Sequence, residues 1–92
     1  MEKVIVKQHP RPRSWEEVIV STSLDDAKGM TFRGEVTKAS GWGGSAGSAL
    51  GYKNAVKMIQ KDAFKKGCNL IVVIDADYGM STRVTARLYS YY

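Results

Sequence analysis

The sequence predicts an α+β fold in which one long helix packs on one face of a four-stranded sheet, in the chain order ββαββ. Three observations predict it: an apolar stripe at helical spacing in mid-chain, a short apolar run after it, and an alternating pattern near the C-terminus. A chain of 92 residues is long enough for one domain with a thin core. We therefore expect residues 18–92 to form this domain and residues 1–17 to form an arm or an edge strand.

Two strands are predicted before the helix. The segments EEVIVSTS (16–23) and MTFRGEVTKAS (30–40) contain the β-branched residues that favour strands. They are separated by LDDAKG (24–29), which is typical of a turn. The segment KVIVKQ (3–8) would add a fifth strand, and the two prolines of HPRPRS (9–14) then break the chain.

The helix is predicted over residues 48–66. Gly67 is the residue type that ends many helices in a left-handed conformation, and Lys65 and Lys66 suit the negative C-terminal end of the helix dipole. The residues of its apolar stripe recur at steps of three and four: Ala49, Tyr52, Ala55, Val56, Ile59 and Ala63.

A β-hairpin is predicted after the helix. The continuous apolar run Leu70–Ile74 is typical of a strand that is covered on both faces. Residues 82–92 alternate between apolar and polar side chains, and the turn between the two strands contains Gly79. Because one helix covers only one face of a sheet, we expect a second subunit to cover the other.

The composition excludes several classes of protein. Cys68 is the only cysteine and His9 the only histidine, so the chain has neither a disulfide framework nor a His/Cys cluster for a metal. A nucleophilic triad is not expected, because the histidine lies in the proline-rich segment. No signal peptide and no membrane-spanning segment is recognisable. We therefore expect a cytoplasmic protein that is not an enzyme and needs no cofactor.

The segment ASGWGGSAGSALGYKNA (39–55) is rich in glycine and serine. It fits the loose dinucleotide pattern G-x-G-x-x-A, but the chain is too short for a doubly wound fold and lacks the acidic residue that such a site requires. Small residues around an aromatic ring allow another backbone to approach closely. We therefore expect Trp42, Gly43, Gly44 and Tyr52, together with Asp75 and Asp77, to contact a ligand or a second subunit.

Lysines recur at every fourth position along one flank of the predicted helix. Like charges at this spacing repel each other, so they either keep the outer helix face solvated or bind a polyanion such as nucleic acid. Arg11, Arg13, Tyr91 and Tyr92 would contribute to such a nucleic-acid surface. The lysines are Lys53, Lys57, Lys61 and Lys65.

Two carboxylates follow the apolar run of the first hairpin strand. Asp75 and Asp77 share one face of this strand and could hold a divalent cation. The alternative is that they face water or pair with Arg83 or Arg87 across the hairpin.

The segment GCNLIVVIDADY (67–78) resembles the segment that follows the helix in the YbjQ-like proteins. These small bacterial proteins carry a heavy-metal-binding label and belong to the superfamily that includes the envelope stress lipoprotein RcsF. VIVSTS (18–23) is similar to their first strand, GEVTKASG (34–41) to their second, and GGSAGSALGY (43–52) to the stretch before their helix. The matching positions in the first segment are Gly67, Cys68, Asn69, Ile71, Val72, Ile74, Asp75, Asp77 and Tyr78.

The resemblance covers about residues 18–90 and implies a strand-strand-helix-strand-strand subunit that assembles into a ring of five. It also implies that the glycine-rich segment and Tyr52 lie near subunit contacts. The Pro/Arg segment (9–14) has no counterpart in the family, and the segment before the helix is shorter than in typical members. A single cysteine offers no thiolate pair for the metal label.

The function expected from these observations is a non-enzymatic, homo-oligomeric module that binds a small ligand between its subunits or serves as a scaffold. The first alternative is a nucleic-acid-binding module that uses the lysine flank of the helix. The second is a divalent-metal-binding protein that uses Asp75 and Asp77.

Overall fold

The structure, a computed structural model, describes residues 11–40, 48–79 and 81–91. These residues form one α-helix and a four-stranded mixed sheet, which confirms the α+β class. The predicted strand at residues 3–8 lies outside the described residues. In chain order the elements are β1 (Ile19–Ser21), β2 (Thr31–Ser40), α1 (Ser48–Lys65), β3 (Leu70–Tyr78) and β4 (Thr82–Ser90), with short 3-10 helices at Trp15–Glu17 and Leu24–Ala27.

The strands lie side by side in the order β1-β3-β4-β2. β1 pairs in parallel with β3, whereas β4 pairs antiparallel with both of its neighbours. α1 packs on one face of the sheet, which we call the helix face, and the opposite face is the outer face. The core between α1 and the sheet contains Val18, Ala55, Val56, Ile59, Ala63, Cys68, Ile71, Val73, Val84, Ala86 and Leu88.

The helix α1 follows the predicted apolar stripe and stops one residue before the predicted end. Ala55, Ile59 and Ala63 are fully buried against the sheet. Buried Gln60 donates a hydrogen bond from its Nε2 to the carbonyl oxygen of Val18 at 2.8 Å, which ties the helix to the segment that enters β1. No helix in the described part of the chain is long and apolar enough to cross a membrane.

Gly67 ends the helix as predicted. Its φ is +74°, in the left-handed region that other residues rarely adopt. The N–H of Gly67 donates to the Phe64 carbonyl at 3.0 Å, and the N–H of Cys68 donates to the Ala63 carbonyl at 2.8 Å. These two bonds are the Schellman pattern, which satisfies carbonyls that the end of a helix otherwise leaves without partners.

Replacing Gly67 with alanine is expected to lower the free energy of unfolding by about 1 kcal/mol, because alanine must adopt a positive φ there. A Cβ at this position would meet Arg11 only at ordinary contact distances, so strain of the backbone is the main cost. Urea denaturation measures the effect, and Gly79→Ala is the control because Gly79 is exposed and has no positive φ. Equal costs at both positions would contradict this account of the helix end.

The predicted strand over residues 16–23 is only three residues long in the structure. The Glu17 carboxylate accepts a hydrogen bond from the backbone N–H of Arg13 at 2.8 Å, and this bond closes a turn around the 3-10 helix before β1. The predicted turn over residues 24–29 contains a second 3-10 helix, and Gly29 follows it with a positive φ.

The prediction that Leu70–Ile74 is buried on both faces holds for its first four residues and is wrong for Ile74, which is 41% exposed. The reason is a bulge in β3: Val73 lies opposite Ala86 and Asp75 lies opposite Thr85, so Ile74 is an extra residue without a cross-strand partner. The bulge also reverses the alternation of faces. It turns both aspartates of β3 to the outer face.

Within one subunit the outer face is covered only in part. At one end, Leu70 and Val72 are buried by Ala27 and Tyr89, with Met30 packed beside them. At the other end the outer face is polar: the Thr37 and Thr85 hydroxyls share a hydrogen bond of 2.9 Å, and Arg87 Nε lies 3.5 Å from Glu35 Oε1. Phe32, whose ring centroid lies 5.7 Å from that of Tyr89, stays 54% exposed on this face. The chain therefore covers the apolar part of the outer face incompletely, and self-association stays a prediction.

Candidate nucleic-acid interface

The helix α1 presents a row of four lysines to solvent. Successive lysines are four residues apart, which corresponds to a rise of about 6 Å per step and about 18 Å along the row. Each step also turns the side chain by about 40° around the helix, or about 120° over the row, and all four side chains are nevertheless exposed. We call this row, formed by the exposed residues Lys53, Lys57, Lys61 and Lys65, the lysine face.

No carboxylate of α1 lies within the lysine face. Asp62 is the only acidic residue of the helix, and its Oδ2 lies 3.2 Å from Nζ of Lys38 on β2. This ion pair holds the Asp62 carboxylate beside the edge of the sheet, and the lysine face thus keeps its positive charge without an acid on the same helix to offset it.

Aromatic and apolar side chains lie between and beside these lysines. Nζ of Lys61 lies 5.4 Å from the ring centroid of half-buried Trp15, within the range of a cation–π contact. Leu50, Met58 and Phe64 are also exposed on α1. A cationic row with neighbouring aromatic rings is the combination by which proteins bind the backbone and the bases of a single strand.

The structure does not bring the other predicted site residues together. Tyr52 lies on the helix side of the sheet, where its ring centroid is 6.4 Å from that of Tyr78. Asp75 and Asp77 are exposed on the outer face, opposite Thr85 and Arg83 of β4. The sheet therefore separates the tyrosine from the two carboxylates. Trp42, Gly43 and Gly44, the remaining predicted contacts, lie outside the described residues.

The described residues contain no group of three or more histidine, cysteine, aspartate or glutamate side chains that could hold a metal ion. Asp75 and Asp77 remain a pair on an open surface. Cys68 is fully buried beneath α1, and burial raises the pKa of its thiol above the ordinary value. A raised pKa disfavours the thiolate, so this cysteine fits packing better than nucleophilic chemistry.

Trp15 is the residue of this surface that sequence reasoning missed. It precedes two glutamates in a segment that reads as the start of a strand, and nothing in that pattern relates it to a lysine 46 positions later. The 3-10 helix at Trp15–Glu17 brings the ring to α1. A tryptophan beside a Pro/Arg-rich segment in a basic chain is the only signal that could have indicated it.

Comparisons of the chain with protein-family models, with curated proteins and with solved structures find no match.

Proposed function

We propose that the chain is a non-catalytic module that binds single-stranded nucleic acid along the lysine face. The observation that carries the proposal is the exposed row of four lysines on a helix whose only acid is paired with β2. Counterions released from the nucleic-acid backbone would supply most of the binding free energy, and this mode of binding is independent of base sequence.

A single strand suits this surface better than a duplex. Trp15 contacts the lysine row at Lys61, and Phe64 is partly exposed on the same helix. Rings next to cations stack on unpaired bases, whereas the bases of a duplex are already stacked on each other. In the part of the chain that the structure describes, the one α-helix is α1, and it packs along the sheet rather than projecting from the body of the protein.

The expectation of a homo-oligomeric module with a ligand between its subunits has less support than nucleic-acid binding. Its proposed contacts are partly outside the described residues, and Tyr52 is on the opposite side of the sheet from Asp75 and Asp77. Four finer expectations remain proposals beside nucleic-acid binding. They are the ββαββ order, membership of the YbjQ-like family, assembly into a ring of five and a cytoplasmic location. The metal-binding alternative rests on the same two carboxylates without a third ligand among the described residues.

A salt titration of the full chain tests the proposed function. A fluorescent thymidine oligonucleotide of about twelve nucleotides is expected to bind at low salt, with a logarithmic salt slope of about −3 for four phosphate contacts. Affinity should then fall about fiftyfold between 50 and 200 mM salt. Fluorescence anisotropy measures it. Absence of binding at 50 mM salt, or an affinity that does not change with salt, would contradict the proposal.

A further inference from the structure

The strand β3 has an open edge beyond the end of β1. β1 pairs with only the first three residues of β3, whereas β4 pairs with β3 from Leu70 to Tyr78. Among the described residues, no strand lies beside residues 73–78 on the side away from β4. Alternate backbone N–H and C=O groups of these six residues therefore point away from the sheet, which is the arrangement that accepts a further strand.

Apolar side chains lie along this open edge. A cleft of about 460 Å³ opens where β1 leaves β3, and Leu24 and Ile74 in its walls are 49% and 41% exposed. Farther along β3, half-buried Ala76 packs against the core on the helix face, and Tyr78 is 56% exposed beside Tyr52. A strand added at this edge would remove apolar surface from water. The residues that line the cleft are Thr22, Ser23, Leu24, Asp25, Val73 and Ile74.

The same edge is acidic on its outer-face side. Asp75 and Asp77 are exposed there, and Asp25 lines the cleft. Neither of the two aspartates of β3 forms an ion pair with a described residue, although Arg83 lies opposite Asp77. The edge thus combines carboxylates on the outer face with apolar side chains on the helix face.

The segment KVIVKQ (3–8) has the complementary pattern in the sequence. Neighbouring side chains of a strand point to opposite faces, so Lys3 and Lys7 would share one face and Val4 and Val6 would lie on the other. A strand that brings both lysines to the acidic outer face therefore also brings both valines to the apolar helix face. Opposite charges and apolar pairs across neighbouring strands both stabilise pairing.

The chain is long enough for this contact. The Arg11 side chain lies against Gly67, which is three residues before the start of β3. The ten residues that precede Arg11 span at most about 33 Å when extended, and the nine residues of β3 span about 30 Å. Because the segment ends near the start of β3, it would run antiparallel to this strand. Its six residues equal the six residues of the open edge in number.

We propose that residues 3–8 pair antiparallel with the open edge of β3 as a fifth strand of the sheet. In this pairing Lys3 and Lys7 lie beside Asp75 and Asp77, and the two valines extend the core on the helix face. The cleft takes the side chain of Ile5, the apolar residue between the two lysines. The added strand closes the edge against pairing with other chains. The inference is independent of the proposed function, because no residue of the lysine face takes part.

Amide hydrogen exchange of the full chain, followed residue by residue by NMR, tests the pairing. Amides of residues 74–78 that point away from β4 are expected to exchange at least about tenfold more slowly than those on the open edge of β2, the internal reference. Replacing both Val4 and Ile5 with proline should abolish this protection. Adjacent N–H groups point to opposite sides of a strand, so one of the two removed must face β3. The control His9→Pro lies outside the segment and should keep the protection.

Charge reversal tests the proposed orientation of the added strand. Lys3→Glu combined with Lys7→Glu is expected to lower the protection of the β3 edge about tenfold, because the carboxylates then repel each other. Adding Asp75→Lys and Asp77→Lys should restore the protection, which a merely structural effect of the substitutions would not do. Circular dichroism melting shows whether each variant is folded.

Three results would overturn the inference. The first is equal exchange at the open edges of β3 and β2, because the bulge and the aspartates would then merely shield a free edge. The second is a folded variant with both prolines that keeps the protection. The third is protection that rises with protein concentration, which would show that the added strand comes from a second copy of the chain. Protection that is independent of concentration and is lost with the two prolines supports pairing within one chain.

Discussion

Replacing Ile71 with alanine is expected to lower the free energy of unfolding by about 3 kcal/mol, whereas the same replacement at Ile74 is expected to cost less than about 1 kcal/mol. Both residues belong to one apolar run of the sequence. Ile71 is fully buried in the core and lies opposite Leu88, while Ile74 is the exposed extra residue of the β3 bulge. The loss of side-chain contacts and the cavity that remains determine the first cost, and neither applies at an exposed position.

Urea denaturation of the native chain and of the two variants measures this difference. Equal and large costs at both positions would show that Ile74 is buried in solution, and would contradict the bulge as described. The same measurement bears on self-association. If a second copy covers Ile74, the midpoint of unfolding rises with protein concentration, and Ile74→Ala weakens that dependence.

Local patterns in the sequence were sufficient for the helix and the hairpin. The helix has a stripe at helical spacing and a glycine whose left-handed conformation the structure confirms at Gly67. The strand β4 alternates strictly, and Val84, Ala86 and Leu88 are buried as that alternation requires. In these elements each residue's environment depends on neighbours a few positions away, and such neighbours are visible in a sequence.

Features that depend on distant residues were not predictable. Nothing in the sequence indicates that β1 pairs in parallel with β3, or that Ala27 covers Val72 on the outer face. The bulge at Ile74 follows from the pairing with β4, since an apolar run looks the same with or without it. The expectation of a second subunit over the outer face was made without these features and stays a prediction.

In the candidate site, too, the features set by neighbouring residues were predictable and those set by distant residues were not. The lysine row could be predicted because one helix supplies all of it at regular spacing. The contact of Trp15 with Lys61 could not be predicted, because only the tertiary fold brings the first 3-10 helix to α1. The ion pair of Asp62 with Lys38 could not be predicted from the sequence either, because the two residues lie on different elements. This pair holds the Asp62 carboxylate away from the lysine face.

Five of the eight acidic residues in the described part of the chain lie on or beside the outer face. Asp75, Asp77 and Glu35 lie on the outer face. Asp25 and Asp26 belong to the 3-10 helix whose Ala27 packs on that face. On the outer face these acids lie among Arg83 and Arg87, whereas α1 has only one acid, Asp62, beside its lysines. The position of a charge should therefore matter more than the net charge.

Replacing Lys53 and Lys57 with glutamine is expected to weaken binding of single-stranded DNA about tenfold at 50 mM salt. The magnitude of the salt slope should fall by about 1.4, because two phosphate contacts are lost. Extending the change to Lys61 and Lys65 should weaken binding at least about a hundredfold. Because all four side chains are exposed, the free energy of unfolding should change little. Fluorescence anisotropy over a series of salt concentrations measures affinity and slope together.

The matched control replaces Lys28 and Arg83 with glutamine. Both control residues are exposed, Arg83 on the outer face and Lys28 directly after the 3-10 helix whose Ala27 packs on that face. Each double variant lowers the net charge from +5 to +3, so a partner that senses only total charge would be weakened equally by both. If the strand lies along α1, the control variant should keep the native salt slope and most of its affinity. Equal losses in the two variants would show that the lysine row is merely the solvated side of a helix.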